Sequence, residues 1–232
     1  MATTSLLIAK RFNGPPNSGN GGYTAGLIAS KLSFNPEVTL RAPPPLEQVM
    51  ELHIQEDSAT LVHQDTLIAA AKVADFHLTI PTAIPWSAVK VAAQQPKSFD
   101  TALLPSCFVC GIARKRGDGL AIYPVNIGLK KVAAPWIPYE NLGDESGKVK
   151  TAFIWSALDC PGAWAIQDAT QLSLLGRIAV KEVHPIKVDT EYIVMGWVLK
   201  EEERKTWTGT AIYDKAGEVC AFAKATWISV KK

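Results

Sequence analysis

The sequence predicts an α+β fold of two tandem units, each a single central helix followed by antiparallel strands that curve around it. Three observations carry this expectation. Small and apolar residues recur in the same order along the two halves, a glycine-bearing segment precedes each helix, and runs of two-residue period follow it. Sequential strands with short links favour antiparallel pairing, and a lone helix must cover one sheet face.

The recurrence is explicit. A shift of 140 places Gly22 on Gly162, Ala25 on Ala165 and Ala29 on Ala169. The same shift carries Val38, Leu40, Arg41, Pro45 and Leu46 onto Ile178, Val180, Lys181, Pro185 and Ile186. Further on, a shift of 152 puts Ala69, Ala71 and Lys72 on Ala221, Ala223 and Lys224. Loops absorb the difference, because loop closure grows only logarithmically with length.

In the first half, the loop Gly14–Gly22 leads into a helix expected over Tyr23–Leu32, with Leu27, Ile28 and Leu32 on one face. After the break at Asn35-Pro36, strands are expected at Val38–Arg41 and Met50–Ile54, with a hairpin of Ser58–His63 and Leu67–Phe76. A polar, proline-bearing linker at Ala92–Ser98 sets the units at 1–95 and 96–232. In the second half, Val149–Leu158 reads as a strand running into Asp159-Cys160-Pro161-Gly162, and a helix follows at Ala163–Thr170. Four strands are expected next, at Ile178–Val183, Tyr192–Glu201, Lys205–Tyr213 and Val219–Val230. The tetrad Asp214-Lys215-Ala216-Gly217 is the turn between the last two.

Composition narrows the function. Of 232 residues, 47% are hydrophobic and 20% charged, which excludes a disordered chain. Lys and Arg total 24 against 22 Asp and Glu, a formal charge of +2 that is too mild for a nucleic-acid partner. The apolar run Leu6–Ala9 precedes the first basic residue, Lys10, the reverse of a secretory signal. No run approaches the roughly 18 apolar residues of a membrane span. Four cysteines are too sparse for a disulfide scaffold. The expectation is a soluble cytoplasmic protein with no membrane partner.

Three local patterns resemble one family. Asn20-Gly21-Gly22-Tyr23 resembles the N-G-G-Y start of the acyl-CoA thioesterase-like N-terminal hotdog unit. Cys107-Phe108-Val109-Cys110-Gly111, followed by Gly117-Asp118-Gly119-Leu120, resembles the C-F-x-C-G…G-L segment of phenylacetyl-CoA-thioesterase-like proteins. Phe153–Asp159, running into Pro161-Gly162, is the third. The resemblance implies a tandem double hotdog, a small-to-medium acyl-CoA as substrate, no cofactor beyond the coenzyme A of that substrate, and a possible homodimer of double-hotdog chains. It also exposes departures. Where many members carry His-Gly-Gly, Asn20 stands in the His place, and Ala29 and Ala169 stand where a carboxylate follows about seven residues after the second Gly.

Thioester hydrolysis needs a polarised carbonyl and an activated water. Free N–H groups at a helix start suit a developing oxyanion, and glycines let a carbonyl approach them, which points to Gly21, Gly22 and Gly162. Asp159 is the candidate general base or nucleophile, against the plainer reading of a helix cap. Asn20 would orient the thioester, with Tyr23 beside it, and Trp155 and Trp164 would wall an acyl pocket. Cys160, at a helix start, is a candidate nucleophile with no histidine near it in sequence. Arg114 and Arg116 could hold the phosphates of coenzyme A, against the reading of a solvated loop. No metal is expected: Cys107 and Cys110 find no second CxxC or histidine pair to complete four ligands, and read as packing. A non-catalytic acyl-CoA-binding protein is the alternative function. A hydratase would need an Asp/His pair at the helix, and no His lies near Asn20 or Asp159.

Overall fold

The computed structural model describes residues 2–94, 104–166 and 172–230. Strands β1 (Ala2–Leu7), β2 (Pro36–Leu40), β3 (Val49–Ile54), β4 (Ser58–His63) and β5 (Thr66–Val73) accompany helix α1 (Gly21–Ala29) in the first half. Helix α2 (Trp86–Gln94) and strands β6 (Val125–Gly128) and β7 (Lys131–Trp136) come next. The remainder is α3 (Thr151–Ala157), α4 (Cys160–Ala165), β8 (Ser173–Glu182), β9 (Tyr192–Glu202), β10 (Lys205–Asp214) and β11 (Val219–Ser229).

All these strands form one antiparallel sheet in the order β1-β3-β4-β5-β2-β8-β11-β10-β9-β7-β6. The order reads the same from either end, with β6 appended, because β1, β3, β4, β5 and β2 correspond to β7, β9, β10, β11 and β8. At the seam, Glu37 pairs with Ala179, Val38 with Ile178 and Thr39 with Arg177. That register is symmetric about Val38 and Ile178, as a two-fold relation with a shift of 140 requires. The strands expected in both halves match β2–β5 and β8–β11 closely, because β-branched and alternating runs between turn residues mark them. In β9, Tyr192 and Val194 face the central helices, while Ile193, Met195 and Trp197 face Trp86 and Val89 of α2 on the outside. Part of the expected linker, Ala92–Gln94, belongs to α2, and residues 95–98 lie outside the described residues.

The helices depart from expectation. Helix α1 starts at Gly21, two residues before the expected Tyr23, because the Asn20 side chain accepts the Tyr23 N–H at 2.8 Å and caps it there. Val149–Leu158 is not a strand; Thr151–Ala157 is helical, and Ala152 through Ala157 are all buried. A helix wrapped on every side has no polar face, so its 3.6-residue period vanishes and Phe153-Ile154-Trp155 reads as strand. The helix expected at Ala163–Thr170 is α4, starting at Cys160; Thr170 and Ala169 lie outside the described residues.

The repeat therefore needs two shifts before β8. The Asn20 N–H donates to the Phe12 carbonyl as the Lys150 N–H does to Leu142, and the bridge Asn13–Gly19 matches Gly143–Val149. Both correspond at a shift of 130, so the counterpart of Gly22 is Ala152 rather than Gly162. The counterpart of Ala29 is Asp159, seven residues after Ala152. The chain gains ten residues between Asp159 and the seam strands, and α4 is part of that gain.

Helices α1 and α3 touch through glycine. A Cβ on Gly26 would lie 2.7 Å from Ala152 Cα and from Trp155 Cβ, and one on Gly22 would lie 2.7 Å from the Trp155 carbonyl oxygen. Backbone on one side of each contact leaves little room to yield. Gly26→Val is expected to lower stability by about 3 kcal/mol through overpacking, despite glycine's poor helix propensity. An unchanged denaturation midpoint would show that the two helices are not held at this distance.

Candidate active site

The C-terminal end of α3 aims a carboxylate at the N-terminus of α1. Leu158 closes α3, and its carbonyl accepts the Thr210 hydroxyl of β10 at 2.7 Å, which fixes the corner where Asp159 sits. Asp159 does not cap α4 with its side chain. Instead its Oδ2 accepts the Gly22 N–H at 2.9 Å and the Asn20 Nδ2 at 2.9 Å, across the contact between the two halves. Both side chains are deeply buried, with Asp159 and Asn20 each 3% exposed. Asp159 Oδ1 is buried with no hydrogen-bond partner among the described residues.

Burial pushes Asp159 up to about 7, and the Gly22 N–H and Asn20 amide oppose that rise by favouring the ionised form. A partly ionised carboxylate with one oxygen held and the other free has the form of a general base. It lines a cavity of about 1000 Å³ walled by Leu40, Trp164, Leu175 and Trp227, with Asn20 and Gly21 beside it. Arg41 is the one basic side chain on that wall among the described residues. Sequence analysis matched Arg41 to Lys181 in the repeat and gave it no role.

The structure brings Asp159, Asn20, Gly21, Cys160 and Trp164 onto one cavity wall, and the other candidates lie off that wall. The Gly22 N–H is committed to Asp159, so Gly21 is the residue of that pair with a free N–H among the described residues. The Gly162 N–H donates to the Asp159 carbonyl at 3.0 Å, and the residue packs under Thr208 and Trp227, so no oxyanion donor stands there. Asn20 donates one amide hydrogen to Asp159, its Nδ2 otherwise reaches only Cys107 Sγ at 4.0 Å, and its carbonyl accepts from Tyr23, which makes it a positioning residue.

Tyr23 stacks on Phe12 at 4.1 Å between centroids, within a buried cluster that includes Phe108 and Phe153; burial raises it to about 12. Trp155 lies against Gly22 and Gly26, off the cavity wall. Arg114 is not a phosphate ligand in this arrangement. Its Nε donates to the Ser106 and Cys107 carbonyls, its Nη1 to Asp118, and its Nη2 to the Arg11 carbonyl and Asn13. Arg116 is exposed and off the wall. The basic cluster misled because a guanidinium that clamps three backbone carbonyls is indistinguishable in sequence from a free one.

The thiols gather as spacing alone could not show. Cys160 Sγ lies 3.6 Å from Cys107 Sγ, and the sulfurs of Cys107, Cys110 and Cys160 are all within 4.8 Å of one another. The neighbouring thiols donate to Cys107 and hold it well below the usual thiol range, while Cys160 is raised. All three line the cavity.

The double duty of Asn20 is separable by substitution. Asn20→Ala is expected to cost about 1 kcal/mol for the lost cap and about 1.5–3 kcal/mol for the lost bond to a buried carboxylate. Asn20→Ser keeps a cap but cannot reach Asp159, and should recover about 1 kcal/mol of that loss. Equal urea midpoints for the two variants would show that Asn20 does not act as the cap.

No family model matches the sequence, and no curated protein matches it. Among solved structures, the chain is similar to a tesB protein of Mycobacterium avium subs paratuberculosis, at 12% identity and a TM-score of 0.66, over 99% of this chain and 93% of that one. It is also similar to a Lactobacillus plantarum protein provisionally assigned as an oleoyl thioesterase, at 10% identity and a TM-score of 0.59, over 99% and 96% of the two chains. At these identities the likeness speaks for the fold alone. The chain has an α+β fold in which central helices are wrapped by one large antiparallel sheet, consistent with a fused tandem double hotdog.

Proposed function

We propose that the protein hydrolyses a small-to-medium acyl-CoA thioester in the cavity between two units of about 1–95 and 96–232. The observation that carries this reading is the division of labour on Asp159, a residue of the cavity wall: Oδ2 is fixed by two donors from the first half, and Oδ1 is buried and unpartnered among the described residues. In this reading Oδ1 takes a proton from water as the water oxygen attacks the thioester carbonyl carbon. The carbonyl oxygen, becoming negative, would be met by the Gly21 N–H at the α1 terminus, where the helix dipole also favours negative charge. Collapse of the intermediate breaks the C–S bond, gives the carboxylic acid, and returns the proton from Asp159 to the coenzyme A thiolate.

The apolar wall of Leu40, Trp164 and Leu175 suits an acyl group, and Arg41 suits an anionic coenzyme outside it. The solved structures of similar fold include one provisionally named an oleoyl thioesterase, which agrees with the reading. Fold by itself does not choose a chemistry, so the reading stands on Asp159.

The test compares the protein with Asp159→Asn on a panel of acyl-CoA thioesters, with released coenzyme A quantified by chromatography. Asn keeps an oxygen for the Gly22 N–H and Asn20 amide but is a poor base. Turnover is expected to fall by about 10² to 10⁴ with the melting temperature retained. Equal hydrolysis by both proteins removes Asp159 from the chemistry. Binding without hydrolysis by the wild type replaces this reading with that of an acyl-CoA-binding protein.

A further inference from the structure

The three gathered thiols have no part in the hydrolysis described above. We propose that Cys107, Cys110 and Cys160 bind one zinc ion as three thiolates, with the fourth coordination position open to the cavity.

The geometry is that of a tetrahedral thiolate site. With Zn–S bonds of about 2.3 Å, tetrahedral angles place sulfurs about 3.8 Å apart. Cys107 and Cys160 are at 3.6 Å, and the third sulfur is within 4.8 Å of both. The ligands come from two elements that are separately held. Cys107 and Cys110 sit on a tight turn closed by the Gly111 N–H donating to the Cys107 carbonyl at 2.9 Å. A Cβ on Gly111 would lie 2.3 Å from that carbonyl oxygen, so the turn requires glycine after the second cysteine. Arg114 fastens the same turn through the Ser106 and Cys107 carbonyls. Cys160 is the first residue of α4, in the segment that has no counterpart in the first half.

A second observation points to a ligand at this place. Asp159, adjacent to Cys160 in the chain and on the same cavity wall, has a buried Oδ1 with no partner among the described residues. Buried polar atoms are nearly always bonded, so an orphan beside a thiol cluster marks where a further group belongs. Three protein ligands plus one open position is the arrangement of zinc sites that admit water or substrate, whereas purely structural sites close with four. Soft thiolates select zinc over magnesium or calcium. Binding requires the thiols to give up their protons, so uptake of the ion releases protons to solvent and strengthens as pH rises.

A disulfide is the competing use of these sulfurs. It would join two and leave the third idle, and the outcomes below separate it from metal binding.

The experiment titrates cobalt(II), as a zinc surrogate, into the full chain after anaerobic treatment with reductant and chelator. One equivalent is expected to produce the visible absorption of four-coordinate cobalt with a thiolate charge-transfer band, and zinc should abolish both. Cys160→Ser and Cys110→Ser should lose the charge-transfer intensity, while Cys220→Ser, outside the cluster, should retain it. Native mass spectrometry of the zinc-treated wild type should show a shift of one zinc, a readout independent of any variant's folding. Absence of both the absorption and the mass shift in the wild type overturns the proposal, as does a full charge-transfer band in a folded Cys160→Ser protein. Loss of two protons' mass on mild oxidation with no metal uptake assigns the cluster to disulfide chemistry instead.

Discussion

The close contact between α1 and α3 is the constraint on which the rest depends. Gly22 and Gly26 bring the two helices together with no side chain between them, and Asp159 then reaches the first turn of α1. A side chain at position 22 would occupy the space of the Asp159 Cβ, 2.5 Å away. The same glycine therefore sets the helix spacing and offers the N–H that fixes the carboxylate. Burying an ionisable group here is costly, and the cost is offset by two donors on one oxygen. The other oxygen stays buried without a partner among the described residues.

A duplicated fold invites two equivalent polar pairs, and among the described residues the Asn20–Asp159 pair has no mate. Under the shift that relates the helix starts, Asn20 corresponds to Lys150 and Asp159 to Ala29. The two-fold mate of the Asn20–Asp159 pair is thus Lys150 with Ala29, which offers neither the amide nor the carboxylate. The N-terminus of α3 also lacks a side-chain cap, in contrast to α1. Beyond Asp159, the ten additional residues bring α4, which supplies Cys160 and Trp164 to the same cavity. Asymmetry in charge and asymmetry in length coincide on one side of the molecule.

Much of the sheet was legible in the sequence because the strand signature of β-branched, alternating runs between turn residues survives even where both faces are covered, as in β9 and β10. The runs that became β2–β5 and β8–β11 kept it, and the seam register agrees with the shift of 140 that the sequence showed at Val38 and Ile178. Helix α3 was illegible because burial on every side removed the 3.6-residue period that marks a helix. That error carried over to the repeat, since Gly162 was matched to Gly22 across an insertion invisible without α3. Strands β1, β6 and β7 were passed over as short, weakly patterned runs. Asp159 was singled out as a residue at a helix start, but the start it serves belongs to α1, 137 residues away. Long-range partners of this kind, like the clamp of Arg114 and the approach of Cys160 to the CxxC turn, follow from topology and leave no mark in local spacing.

The central claim is that Asp159 Oδ1 and the Gly21 N–H face the reacting group from opposite halves of the chain. A crystal structure with a non-hydrolysable acyl-CoA analogue, its thioester sulfur replaced by methylene, tests this most directly. The account predicts the analogue's carbonyl oxygen at hydrogen-bond distance from the Gly21 N–H. Its carbonyl carbon should lie within about 3.5 Å of a water held by Asp159 Oδ1, with the acyl chain against Trp164 and Leu175. An analogue bound with its carbonyl remote from both groups would contradict the account.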